Sequence, residues 1–249
     1  LLEPDGHSDP PGIEVRAVRG LAGCNYLQPE FGMDLTTWVF GKVTSHMESV
    51  GYTRRSLKGA TYDWRVPPMH LEEQSAYFSG LVRMIEKMFR ENGNRPVVLL
   101  AHSMGCKMGH YFPNWVLNNA AKHPTLKITD PQAWLDKHVF SLFAVGGPFL
   151  GARKSFKAVL SGDDMGIGDF IGPKNTIRLS RAMGSGMWVW PEGPLRTATP
   201  YAMAYRRNAG VVRVEIVSAT FAGGSTVHSG TLIGSSELYV RVTHVKTKD

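Results

Sequence analysis

The feature that most constrains this chain is a short apolar run, Val97-Val-Leu-Leu-Ala101, which leads straight into His102-Ser-Met-Gly105. A run this short and wholly apolar suits a strand buried on both faces of a parallel sheet. From Met104 to about Val116 the apolar residues recur at helical spacing. Parallel strands need crossover helices, so strand, sharp turn and helix in succession point to an α/β domain. The turn sets Ser103 between two small residues, Ala101 and Gly105, two positions away on either side. That is the steric requirement of a nucleophile elbow, which lifts a serine hydroxyl out of a strand-to-helix turn. A serine hydroxyl is a weak nucleophile and needs a nearby base. The helix N-terminus behind it favours negative charge, and the Met104 backbone N–H is placed to donate to a developing oxyanion.

The rest of the chain supports the same class. Ile13-Glu-Val-Arg-Ala-Val18 alternates apolar and polar residues and predicts a strand. Arg19-Gly-Leu-Ala-Gly23 then turns the chain, and its Leu21 N–H is the candidate second oxyanion donor. Residues 32–50 carry Leu35, Val39, Val43, Met47 and Val50 at helical spacing, and Gly51 ends that helix. Leu57 to Tyr62 is a weaker strand candidate. Pro67-Pro68 opens a long helix whose apolar face runs from Leu71 to Phe89. Residues 118–131 read as a polar connection, Trp134 to His138 as the end of a short helix, and Val139–Val145 as a second buried strand. A Gly- and Met-rich stretch, 161–194, has poor periodicity, and a late strand is expected near 211–217.

Composition excludes several classes. Of 249 residues, 43% are hydrophobic and 20% charged, the balance of an ordinary globular protein. The net charge of +7 is spread without a Lys/Arg run, which argues against nucleic acid and suits either an anionic membrane surface or a plain solvated one. Cys24 and Cys106 form neither a metal motif nor a disulfide framework, and Cys106 is expected in the core. No stretch is long and apolar enough to span a membrane. No metal and no organic cofactor is implied.

Several motifs in order then carry a family resemblance. Tyr62-Asp-Trp-Arg65, the Ala-His-Ser-Met-Gly elbow and Phe143-Ala-Val-Gly-Gly-Pro-Phe-Leu-Gly151 together resemble the lecithin–cholesterol acyltransferase-like family. Leu71-Glu-Glu-Gln-Ser-Ala-Tyr-Phe78, Trp134-Leu-Asp-Lys-His138, Val159-Leu-Ser-Gly162, Leu179-Ser-Arg and Met187-Trp-Val-Trp-Pro191 look like the plant-type phospholipid–sterol O-acyltransferases. The resemblance runs from about Gly12 to Pro191. It implies an α/β-hydrolase fold with a mostly parallel central sheet and flanking helices, incomplete at the C-terminal end. It divides the chain into a core with cap or lid elements over 1–195 and a divergent segment over 196–249. It implies a seryl acyl-enzyme at Ser103 that takes an acyl group from a phospholipid and passes it to a sterol, with diacylglycerol or water as alternative acceptors. Peripheral association with an internal membrane such as the endoplasmic reticulum follows from the same resemblance. The Gly20-Leu21 turn matches the family's oxyanion loop, with Arg19 in place of the usual proline. Asp63 and Arg65 are expected to form a structural pair. Met183, Met187, Trp188, Val189 and Trp190 form either core or a lid.

The triad in this fold runs Ser, then Asp or Glu, then His. Ser218-Ala-Thr-Phe-Ala-Gly-Gly-Ser225, after the late strand, has no carboxylate. Gly224-Ser-Thr-Val227 resembles the family's Gly-Asp-Gly-Thr-Val without its Asp. His228 and His244 follow as weak candidates for the base. His102 and His110 stand too near the elbow for that role. The expectation is a chain without its acid and base, through truncation or divergence, and hence a lipid-binding fragment as the competing function.

Overall fold

The computed structural model describes residues 1–26, 38–162 and 173–191, and the backbone of four short strands beyond them. The chain forms two compact units, Leu1–Val189 and Trp190–Asp249.

The first unit is built on two adjacent parallel strands, β1 (Val97–His102) and β2 (Val139–Val145). They run in register from Val98 opposite Ser141 to His102 opposite Val145, with one irregularity between Val97 and Val98. The chain returns from β1 to β2 through α5 (Met104–Asn119), a 3₁₀ turn (Ala120–Lys122) and α6 (Pro131–His138). Asp130 starts α6 by accepting the Ala133 N–H at 3.0 Å, and Pro131 fills the first turn, where its missing N–H costs nothing.

The main core lies on one side of these strands. α4 (Tyr77–Glu91) buries Phe78, Leu81, Val82, Ile85 and Phe89, one stripe at helical spacing. α5 answers with Met108, Phe112, Trp115 and Val116, and α6 adds Trp134 and Leu135. α5 lies close to the sheet because Gly109 has no side chain: a Cβ there would fall 2.7 Å from Leu142 Cδ1. The other helices are α1 (Leu21–Asn25), α2 (Gly41–Ser49), α3 (Pro68–Ser75), α7 (Arg153–Ser161), α8 (Pro173–Ala182) and α9 (Gly184–Trp188).

Five expectations change. Ile13–Val18 is not a strand; it has no strand partner among the described residues, and the Val15 N–H is taken by the Asp9 carboxylate at 2.9 Å. Leu57–Tyr62 is likewise without strand structure. The long helix from Pro68 is two helices, because Ala76 takes a left-handed conformation (φ 50°) between α3 and α4. Glu72 makes that break workable: its Oε2 accepts the Phe78 and Ser79 N–H groups at 2.8 and 3.0 Å, replacing bonds a new helix start leaves open. The 161–194 stretch, despite its weak periodicity, contains α8 and α9. Within residues 32–50 the helix is Gly41–Ser49, and 27–37 lie outside the described residues.

In the second unit, β3 (Met203–Arg206) pairs antiparallel with β4 (Val212–Glu215), the expected late strand. β5 (Ala219–Thr220) pairs antiparallel with β6 (Thr226–Val227).

Candidate active site

Ser103 joins β1 to α5 with φ 53° and ψ −128°, a backbone that L-residues avoid. Two hydrogen bonds hold it there. Its N–H donates to Val145 O at 2.9 Å, which ties the turn to the end of β2, and its own C=O accepts the Cys106 N–H at 2.9 Å, which begins α5. The result is an exposed serine on a rigid corner at the C-terminal ends of both strands, the place where parallel α/β sheets put their sites.

The small residues around the corner explain themselves. A Cβ on Gly105 would stand 4.0 Å from Ala101 Cβ, an ordinary contact, so alanine fits where the elbow pattern has glycine. A Cβ on Gly147 would fall 2.6 Å from Cys106 Cβ and 2.8 Å from Phe149 Cε2. The glycine after β2 therefore lets that loop lie against the start of α5. Cys106 is fully buried, as its sequence position implies, and its thiol reaches Ala101 O at 3.3 Å and Val145 O at 3.4 Å. It is a packing residue that also ties both strand ends together, a role its sequence does not announce.

The histidines next to the elbow pack instead of activating it. His102 is exposed and meets Phe40 edge-on at 6.2 Å between centroids, and His110 meets Phe149 in the same way at 6.1 Å. Among the described residues no hydrogen bond reaches the Ser103 hydroxyl. His228 and His244 lie outside the described residues.

Met104 is the first residue of α5, directly behind the nucleophile. Leu21 opens α1 after Gly20, whose φ of 76° needs glycine. Gly59 packs backbone to backbone against this turn, since a Cβ on it would fall 2.4 Å from Gly20 O. Leu21 lines a cleft of about 1210 Å³ together with Ala101, His102 and Gly105; Ser103 and Met104 are not among its lining residues. Leu21 and His102 thus line the same cleft.

Asp63 and Arg65 form the expected pair, with Arg65 Nε 2.9 Å from Asp63 Oδ1 and Nη2 bonded to Oδ2 at 2.6 Å. The pair has a third member that sequence reasoning missed: Arg65 Nη2 also donates to Asp9 Oδ1 at 2.8 Å across a separation of 56 residues. Asp63 raises the Arg65 pKa above its already high value, and Asp9 adds to it. The Asp9 carboxyl is held below its usual range, first by the Val15 N–H and then by Arg65. The Tyr-Asp-Trp-Arg motif therefore fastens the N-terminal segment, and Asp63 is fully engaged in doing so. Of the residues proposed as core or lid, Met183 and Val189 are buried, whereas Met187 is 58% exposed. Lys107 holds Trp188 from α5, with Nζ 2.7 Å from its carbonyl and 4.8 Å from its ring centroid.

The lecithin:cholesterol acyltransferase family model matches residues 2–210. The chain is 30% identical over 191 residues to a phospholipid–sterol O-acyltransferase of Arabidopsis thaliana, covering 77% of this chain and 29% of that protein. It is 31% identical over 163 residues to the phospholipid:diacylglycerol acyltransferase of Saccharomyces cerevisiae, covering 66% of this chain and 23% of that protein. It is 37% identical over 186 residues to a lysosomal phospholipase A and acyltransferase of Rattus norvegicus, covering 73% and 40% respectively. The chain therefore spans between 23% and 40% of the length of these relatives. With the elbow serine and the Tyr-Asp-Trp-Arg clamp in the positions described, the chain belongs to the lecithin:cholesterol acyltransferase family.

Proposed function

We propose that Ser103 is the nucleophile of a lipid acyltransferase that takes a fatty acyl group from a phospholipid and passes it to a sterol hydroxyl. The observation that carries this reading is the Ser103 corner itself: a strained, exposed serine pinned by Val145 at the head of α5. Its Oγ attacks the ester carbonyl and gives up its proton to a base. The Met104 N–H meets the oxyanion, and the Leu21 N–H is assigned as the second donor because it shares the cleft with Ala101, His102 and Gly105. Collapse of the intermediate releases the lysophospholipid. The acceptor hydroxyl then attacks the seryl ester and frees Ser103. Relatives named for sterol, diacylglycerol and phospholipase activities support the phospholipid donor more strongly than any one acceptor. We infer from the family resemblance alone that the reaction takes place at the surface of an internal membrane such as the endoplasmic reticulum.

The test uses labelled phosphatidylcholine with sterol, diacylglycerol or neither, alongside fluorophosphonate labelling of the wild-type chain and Ser103→Ala. The reading expects labelling that Ser103→Ala abolishes, and a steryl ester as the product. Free fatty acid alone would remove the transferase claim. A second reading rests on one observation, the Ser103 hydroxyl without a hydrogen-bond partner among the described residues: a lipid-binding chain without turnover. It expects no labelling and saturable binding of phospholipid.

A further inference from the structure

Two neighbouring carbonyls in one turn face two different elements. Trp188 ends α9, and the last carbonyls of a helix have no intrahelical partner. Its C=O accepts Lys107 Nζ at 2.7 Å, and the same ammonium stands 4.8 Å from the Trp188 ring centroid. The next carbonyl, that of Val189, accepts the Ala152 N–H at 2.8 Å and the Ser155 hydroxyl at 3.0 Å. Lys107 lies in the first turn of α5, close behind Ser103. Ala152 and Ser155 lie at the entry to α7.

These bonds close a circuit around the elbow. The loop between β2 and α7 is held at its near end by Val145, whose C=O takes the Ser103 N–H at 2.9 Å, and by Gly147 against Cys106. It is held at its far end by Val189, which is buried. From Ser103 the circuit follows α5 to Lys107, crosses to Trp188 and Val189, passes to Ala152, and returns through the loop to Val145. A lysine in the first turn of a helix stands against the partial positive charge there. Its partner is the C-terminal end of α9, where a cation is favoured and a lysine can take the last carbonyls. A bond from a charged donor is also stronger than one between neutral groups.

We propose that Lys107 is a positioning residue for acyl transfer at Ser103. It acts through Trp188 and Val189, which fix the far end of the loop that pins the backbone of the nucleophile. On this reading α9 is a fixed strut and not a lid, although Met187 on it is exposed. The proposal rests on Ser103 being the nucleophile, as argued above.

Residue-resolved hydrogen exchange and fluorophosphonate labelling of the 249-residue chain test it together. Lys107→Met keeps an apolar stem and removes the charge. The Ala152 and Ser103 amides are then expected to exchange roughly tenfold or more faster, as the loss of a bond from a charged donor implies. The Phe78 and Ser79 amides, bonded to Glu72 at the start of α4, are expected to keep their rates. Labelling of Ser103 is expected to slow by roughly tenfold as the elbow loses its alignment. Lys107→Arg keeps a charged donor over the ring and is expected to return both readouts to within about twofold of wild type. The proposal is overturned if Lys107→Met leaves the Ala152 and Ser103 amides unchanged, or labels at the wild-type rate, or if Lys107→Arg is equally impaired. Should Lys107→Met fail to fold, Ser155→Ala opens the same circuit at Val189. A rise of about threefold at both amides then supports the circuit, and no change overturns it. A wild-type chain that takes no label, with both amides still freed by Lys107→Met, would strike Ser103 as nucleophile and leave Lys107 as the link that holds the loop.

Discussion

β1 has two edges, and they are built differently. On the β2 side, backbone bonds run the length of the strand, Ser103 is tied to Val145, Cys106 bridges two strand ends, and Gly147 leaves no room for a methyl group. On the cleft side the strand borders space, and the segments that share that space, Val15–Val18 and α2, leave Val15, Val18 and Val43 between 40% and 47% exposed. The difference places rigidity where the chemistry needs it. A nucleophile must be held in a conformation that its own backbone resists, and only the closed side supplies the bonds to do so.

The largest expected contrast is in stability. Phe78 is fully buried in α4, stacked on Trp115 at 5.2 Å in the main core. Phe78→Ala is expected to cost about 3–5 kcal/mol, measured by urea unfolding. Val43→Ala, at a cleft position 42% exposed, is expected to cost less than about 1 kcal/mol. Equal costs would break the comparison and mean that the cleft is filled.

Tyr62 sharpens it. It lines the cleft and also packs against the core, and burial pushes its phenol from 10.0 up to about 12. A raised folded value means that the neutral phenol is favoured by folding. That stability is whole below pH 10 and is lost as pH rises through about 12, an effect on the order of 2 kcal/mol. Phenolate absorbance of wild type against Tyr62→Phe, followed from pH 9 upward, checks it. A Tyr62 that ionises near 10 would show a cleft open to water throughout.

Gly147 tests the closed side directly. Gly147→Ala places a methyl group 2.6 Å from Cys106 Cβ, whose position is fixed by α5. About 2 kcal/mol of destabilisation is expected, together with slower labelling of Ser103 as the elbow shifts. Gly12→Ala is the control for a glycine with nothing within 4 Å, although its φ of 79° adds backbone strain of its own. A thermal scan in which Gly147→Ala matches wild type would remove the close approach as a structural requirement.

The closed side is also the legible side. β1, α5, β2 and the Ser103 turn follow from an apolar run, helical spacing and small residues within a few positions of one another. These are local signals. The cleft side depends on partners far away in the chain. Ile13–Val18 has the alternation of a strand, but alternation specifies only which residues face which way; a ladder needs a second strand. The Ala76 break between α3 and α4 is hidden because Leu71 and Phe78 keep one apolar stripe across it, and only the Glu72 carboxylate reveals how the new helix starts. Asp9 on Arg65 is invisible for the same reason, being 56 residues away. Ser103 and its surroundings are thus readable from sequence, while its base is not, since His228 and His244 follow a tail whose spacing matches no clear motif.

Val98 carries the smallest effect and tests the face of β1 turned away from the core. In the interior of a parallel sheet, exchanging a β-branched apolar residue for one of the same shape with a hydroxyl buries an unpaired polar group and costs 1 kcal/mol or more. At 55% exposure the hydroxyl of Val98→Thr keeps its water, and β-propensity is nearly unchanged. The expected change is within about 0.5 kcal/mol in urea. Leu99→Ala, one residue on and packed against the core, is expected to cost about 2 kcal/mol or more. The ratio of the two costs measures how differently the two sides of one strand are buried. Were Val98→Thr as costly as Leu99→Ala, the face of β1 that carries Val98 would be covered in solution.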